Sequence, residues 1–327
     1  MKVLVTGAAG FIGFHLCRRL LGRGDTVVGL DNLNDYYPVV LKEARLAELE
    51  KDCAGLAPDA FRFLRLDVSD REALPRLFGA ERFDAVVHLA AQAGVRYSVE
   101  NPWAYVDSNL VGFANILECV RRWPPRHLVY ASSSSVYGSN EKTPFSESDR
   151  TDEPESLYAA TKKSCELMAS CYARLYGIHA TGLRFFTVYG PWGRPDMSPM
   201  LFADAVSAGE PLRLFNNGEM MRDFTYIDDI IEGLVRVLDK VPPAHEIYNI
   251  GCGSPVKLAD FISEIEQALG RRAEKRLLPM QPGDVCRTWA DTEKLERELG
   301  CKPSVGLHEG IRRFIDWYRS DRNPLRK

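Results

Sequence analysis

Seven short apolar runs mark the first 250 residues, at 2–6, 26–30, 61–66, 85–89, 127–131, 180–183 and 247–250. Each is four to six residues long, and most lack a polar alternation, the pattern of parallel strands buried on both faces. Between the first six, apolar residues recur with helical spacing and predict helices at 11–21, 39–49, 70–78, 102–122 and 158–176. Strand alternating with helix predicts an α/β fold with a doubly wound parallel sheet. Beyond 183 the pattern shifts to helices at 200–208, 229–238, 258–269 and 306–318 around little strand, predicting a smaller C-terminal α/β lobe. We divide the chain into 1–185 and 186–327, with some interleaving because the linkers are short. Residues 323–327 are expected to fray.

The first strand runs into Thr6-Gly7-Ala8-Ala9-Gly10-Phe11-Ile12-Gly13 and straight on into a helix. Gly7 permits the tight turn, Gly10 lets the backbone approach a pyrophosphate, and Gly13 lets the helix pack on the strand. The phosphates would sit on the helix N-terminus, beside the backbone of Phe11 and Ile12. The second strand ends in Asp31, eighteen residues past Gly13. A carboxylate there suits a ribose 2′-hydroxyl and repels a 2′-phosphate, so the expected cofactor is NAD and the domain Rossmann-type. Asn32 opens an insertion on the adenosine side. Asp67 and Val68, at the end of the third strand, are placed to meet an adenine edge. Leu89, Ala90, Ala91 and Gln92 leave room at the end of the fourth strand. Asn109, on the 102–122 helix, and Phe185, beyond the sixth strand, complete the expected cofactor contacts.

Charge narrows the partners. The net charge is −3 with both signs interspersed, so neither nucleic acid nor an anionic membrane is expected. No apolar run approaches a membrane span, and the first strand starts at Lys2, so a cytoplasmic protein is expected. Eight cysteines form no CxxC pair and six histidines no HxxxH spacing, which predicts reduced thiols and no metal site.

The candidate chemistry lies in Tyr158-Ala159-Ala160-Thr161-Lys162. On a helix, Tyr158 and Lys162 project from one face. An ammonium there favours the ionised phenol and so makes a proton acceptor usable near neutral pH. The fifth strand delivers Ser132-Ser133-Ser134-Ser135-Val136-Tyr137-Gly138 to the same sheet edge, where hydroxyls can bond a sugar hydroxyl or a carboxylate. With the glycine turn, this set resembles the extended short-chain dehydrogenase/reductases that act on nucleotide sugars, within the NAD-dependent epimerase/dehydratase family. The resemblance implies an acid/base role for Tyr158, a ribose-ligand and phenol-tuning role for Lys162, and the Ser/Thr role for Ser133.

Within that family the chain is most similar to UDP-glucuronate 4-epimerases. The similarity is carried by residues 31–37, by Gln92-Ala93-Gly94-Val95-Arg96-Tyr97-Ser98, and above all by Leu183-Arg184-Phe185-Phe186-Thr187-Val188-Tyr189-Gly190-Pro191-Trp192-Gly193-Arg194-Pro195-Asp196-Met197. The implied reaction converts UDP-glucuronate to UDP-galacturonate through a 4-keto sugar, with NAD recycled. That keto sugar is a β-keto acid. It loses carbon dioxide when its C5–C6 bond stands perpendicular to the carbonyl plane, so the carboxylate must be held. Arg194, Thr187, Ser134 and Ser135 are the candidates for this task. Arg222, in Arg222-Asp223-Phe224-Thr225-Tyr226, is the candidate for the UDP diphosphate. Gln281, where relatives often carry Arg, and Arg287 compete for the second phosphate contact. UDP-glucose 4-epimerase and UDP-glucuronate decarboxylase remain alternatives, as does a non-catalytic NAD-sensing protein. The family also implies a homodimer, with the 102–122 and 158–176 helices forming a four-helix bundle.

Overall fold

The apolar runs become the strands of one sheet. β1 (Lys2–Thr6), β2 (Thr26–Asp31), β3 (Phe61–Arg65), β4 (Ala85–His88), β5 (His127–Ser133), β6 (Ala180–Phe185) and β7 (His245–Ile250) lie in the order 7-6-5-4-1-2-3. All pairs are parallel, as crossovers through helices require. Val3, Leu4, Val5, Val86 and Val87 are fully buried because helices cover both faces. This computed structural model describes residues 1–279 and 287–326.

The strand order reverses between β1 and β4, and ligands bind outside the carboxyl ends at such a switch point. Parallel strands all end at one edge. That edge therefore collects the glycine turn after β1, Asp31 after β2, Leu89 after β4, the serines after β5 and Phe186 after β6.

The second half of the chain is tied into this sheet. β7 follows the helix Ile227–Asp239 and pairs with β6 along its full length, from His245↔Ala180 to Ile250↔Phe185. Thr187–Tyr189 pairs in parallel with Phe224–Tyr226. The C-terminal lobe thus hangs from the same edge as the candidate site. The helices Ser198–Ala208, Leu258–Leu269 and Leu307–Arg319 pack around Tyr189, Phe224, Phe261 and Phe314, which are buried.

Two expectations are corrected. The predicted 102–122 helix is α-helical over Pro102–Tyr105 and Gly112–Arg122, with a π-helical segment at Val106–Val111 between them. A π segment of this kind is a short local departure inside an α-helix, and the apolar spacing of the whole run does not single it out. Residues 323–326 do not fray. Asn323 is buried and donates to the Tyr318 carbonyl at 2.9 Å, and Arg326 donates to that of Arg319 at 2.6 Å. Among the described residues, no helix is long and apolar enough to cross a membrane, and no cluster of His, Cys, Asp or Glu is placed to hold a metal. Cys17, Cys53, Cys119, Cys165, Cys171, Cys252 and Cys301 are all free thiols.

Candidate active site

A single cleft of ≈ 500 Å³ follows the carboxyl edge of the sheet, from the glycine turn to Arg222. At one end, Gly7 has φ +72 and lies against the end of β4; a Cβ there would fall 2.8 Å from the Ala90 nitrogen. A Cβ on Gly13 would fall 2.0 Å from the Gly7 carbonyl oxygen, so only glycine lets the helix Phe11–Gly22 start this close to β1. The first-turn N–H groups of that helix have no intrahelical partner, and Gly10, Phe11, Ile12 and Gly13 line the cleft. Asp31 lines it too, its carboxylate oriented by the Leu33 N–H at 2.9 Å and the Ala9 N–H at 3.3 Å. Asn32, Val68, Leu89, Ala90, Ala91, Gln92 and Phe185 complete this half. An anion-binding helix terminus, a carboxylate at the end of β2 and small residues at the end of β4 fit NAD.

The Ser, Tyr and Lys of the sequence motif all line this cleft. Ser156 caps the helix Leu157–Tyr176 by accepting from the Ala159 N–H at 3.1 Å, and this fixes the first turn that carries Tyr158. Lys162 is buried and donates to the Ala131 carbonyl of β5 at 2.9 Å. Its charge stays compatible with the neighbouring His88 because that imidazole remains neutral: burial, then Lys162, lowers it to about 3. Ser133 closes β5 and lines the cleft. Its Oγ accepts from the Ser135 N–H at 3.2 Å and donates to the Ser135 hydroxyl at 3.1 Å. Ser134 and Ser135 face the same space.

Residues behind these three hold them in place. Asn109, in the π-helical segment, does not line the cleft. Its amide accepts from the Gln92 N–H at 2.8 Å and donates to the Gln92 carbonyl at 3.1 Å and to Thr161 Oγ1 at 3.0 Å. Both of its donors and its oxygen are engaged in tying the loop after β4 to the catalytic helix. Asp67 is likewise turned away, accepting from Asn32 at 2.7 Å and from the Ser69 N–H at 2.8 Å. Under Ser133, the Ser132 hydroxyl donates to Glu166 at 2.6 Å, and Glu166 pairs with Arg184 of β6 at 2.8 and 2.9 Å.

Thr187, Arg194 and Arg222 line the cleft as well. Arg222 lies in the short strand Met221–Arg222, fixed from behind by Asp223. That fully buried carboxylate collects the N–H groups of Cys252, Gly253 and Ala290 at 2.7, 2.9 and 3.0 Å, together with the Thr225 hydroxyl. Arg287 pairs beside Met221 but is exposed and outside the lining, where its neighbour Thr288 stands instead. Gln281 lies outside the described residues. Reading the sequence for chemistry passed over Thr288, Tyr36 and Lys42, which also line the cleft. Lys42 is buried on a helical face, with its ammonium on the Asn34 carbonyl at 2.7 Å. Burial lowers its affinity for the proton.

A switch-point cleft with this glycine turn and a Ser, Tyr, Lys set defines an extended short-chain dehydrogenase/reductase. More narrowly, residues 3–251 match the NAD dependent epimerase/dehydratase family, and the chain belongs to it. A probable UDP-glucuronate 4-epimerase of Rhizobium meliloti (strain 1021) is 50% identical over 97% of each chain. UDP-glucuronate 4-epimerase 4 of Arabidopsis thaliana is 48% identical over 98% of this chain and 76% of that one. The crystal structure of UDP-glucuronic acid 4-epimerase from Bacillus cereus in complex with UDP-glucuronic acid and NAD superposes with TM-score 0.89 at 37% identity, covering 97% of this chain and 98% of that one.

Proposed function

We propose that the protein is an NAD-dependent enzyme that inverts C4 of UDP-glucuronate to give UDP-galacturonate. The observation that carries this reading is the single cleft lined together by the glycine turn and Asp31, by Ser133, Tyr158 and Lys162, and by Thr187, Arg194 and Arg222. The full-length relatives named as UDP-glucuronate 4-epimerases support the choice of sugar.

Bound NAD supplies reversible storage of a hydride. Around it, Tyr158 takes the proton of the C4 hydroxyl as that carbon is oxidised and returns it to the oxygen once the ring has turned over. Lys162 would stabilise the phenolate and, through its two further N–H groups, hold the cofactor ribose. Ser133 orients the reacting oxygen. Arg222 holds the diphosphate while the sugar swings, and Thr187, Arg194, Ser134 and Ser135 hold the carboxylate away from the alignment that releases carbon dioxide.

Protein carrying NAD, given UDP-glucuronate and no reductant, is expected to form UDP-galacturonate, resolved by chromatography with mass detection. Unchanged substrate, or one carbon dioxide per sugar consumed, would rule this out. UDP-glucose in a parallel reaction separates the glucose epimerase alternative.

We further propose a cytoplasmic homodimer joined by a four-helix bundle built from the 102–122 and 157–176 segments. Trp103, Leu167 and Leu175, on these segments, are 72, 60 and 66% exposed in the single chain, apolar surface that such a bundle would cover. Sedimentation is expected to give twice the 36.8 kDa chain mass, and Leu167→Asp to shift it toward the monomer. A monomeric wild type would refute the bundle.

A further inference from the structure

Arg194 stands in the wall of the cleft with a carboxylate at its back. Its Nε donates to Asp196 Oδ1 at 3.0 Å and its Nη2 donates to Asp196 Oδ2. A guanidinium offers five N–H donors in a planar fork. Asp196 occupies the side edge, so the end edge, formed by Nη1 and the second N–H of Nη2, is left for a ligand. The cleft is lined by Arg194 and Tyr36 but not by Asp196.

Asp196 is itself held. The Tyr36 hydroxyl donates to its Oδ2 at 3.1 Å, and the Arg194 guanidinium lies 5.8 Å from the Tyr36 ring centre. Burial and then Asp196 push the Tyr36 phenol up to about 12, so it stays a donor. Its ring packs 4.9 Å from that of Tyr97. Gly94 makes room for the hydroxyl, since a Cβ there would fall 2.5 Å from it. The loop under Arg194 is also pinned. Trp192 has φ +64, a strained value for a bulky residue. Its carbonyl accepts from the buried Arg45 at 2.6 Å, and Arg45 also donates to the Ala9 carbonyl of the glycine turn at 2.8 Å.

We propose that Asp196, anchored by Tyr36, is a positioning and specificity residue: it fixes the plane of Arg194 so that only the end edge meets a sugar carboxylate, and it weakens the pull on that carboxylate. This rests on Arg194 being the carboxylate clamp. Two carboxylates on adjacent edges of one guanidinium repel each other, so the arrangement sacrifices affinity for orientation. Without Asp196 the guanidinium rotates freely and attracts the substrate more strongly. It then no longer holds C5–C6 out of the decarboxylating alignment.

The test compares NAD-loaded wild type with Asp196→Asn, Tyr36→Phe and Arg194→Ala on UDP-glucuronate, reading KM and the fraction of consumed sugar released as carbon dioxide. Asp196→Asn is expected to lower KM roughly two- to fivefold, the scale of one partly exposed charge contact, while raising the carbon dioxide fraction. Tyr36→Phe moves the carbon dioxide fraction the same way by less. Arg194→Ala raises both quantities. General damage to the fold raises KM without touching the partition. If Asp196→Asn and Tyr36→Phe leave the wild-type partition while Arg194→Ala changes it, the positioning role falls and the clamp stands. If Arg194→Ala leaves both quantities unchanged, both fall.

Discussion

Tyr158→Phe is expected to lower kcat by about 10²–10⁴-fold, the range that a positioned proton acceptor contributes. The substitution removes one oxygen and keeps the ring, which packs edge-on against Tyr105 with centroids 6.1 Å apart. The helix start is unaffected, because Ser156 caps it through backbone and hydroxyl. Lys162 keeps its bond to the Ala131 carbonyl, so the cofactor end of the cleft is preserved. The variant should therefore copurify with NAD at wild-type stoichiometry, measured after denaturing the protein, and yet leave UDP-glucuronate unconverted. Turnover within tenfold of wild type would remove Tyr158 from the acid/base role. Loss of NAD together with activity would instead make the residue a cofactor ligand.

How much of this site was legible in the chain depends on how local each feature is. The glycine turn, Asp31 and the Tyr158–Lys162 pair are encoded within a few consecutive residues, because a turn and a helical repeat place side chains without help from elsewhere. The strands were legible for the same reason: β1, β4 and β5 are short and apolar, and burial on both faces leaves no room for polar alternation. What escaped depends on contacts between distant residues. Asn109 reads as a cofactor ligand from its position, but a π-helical segment turns its amide toward Gln92 and Thr161, 17 and 52 residues away. Thr288 enters the cleft, and Arg287 does not, because of strand register against Met221 and Arg222. Tyr36 and Asp196 are 160 residues apart, and nothing in either stretch announces that a phenol will seat a carboxylate behind Arg194.

Glu166→Gln is expected to destabilise the protein by about 3–5 kcal/mol at neutral pH, the cost of stripping one partner from a buried ion pair. Glu166 and Arg184 side chains are each 4% exposed, so Arg184 would keep its charge with no water to solvate it. Arg184 lies in β6, and its guanidinium also sits 4.8 Å from the Tyr137 ring centre, so it has little freedom to reach solvent. Against a total stability of about 5–15 kcal/mol, the loss should lower the melting temperature by several degrees. The dependence on pH gives a second check. Burial alone would raise the Glu166 carboxyl, but the hydrogen bonds and charge of Arg184, with the Ser132 hydroxyl, outweigh it and hold it below the usual carboxylate range. A lowered folded-state value means that the stabilisation is complete above the unfolded value, about 4.3, and is lost as pH falls through the lower folded value. The gap in melting temperature between wild type and Glu166→Gln should therefore be widest at pH 7 and begin to narrow once the pH falls below about 4. Neither Glu166 nor Arg184 lines the cleft, so the variant should make the same product as wild type at temperatures where it is folded. A gap that is small at pH 7, or that widens in acid, would show that the pair does not support the Ser132–Ser133 strand end.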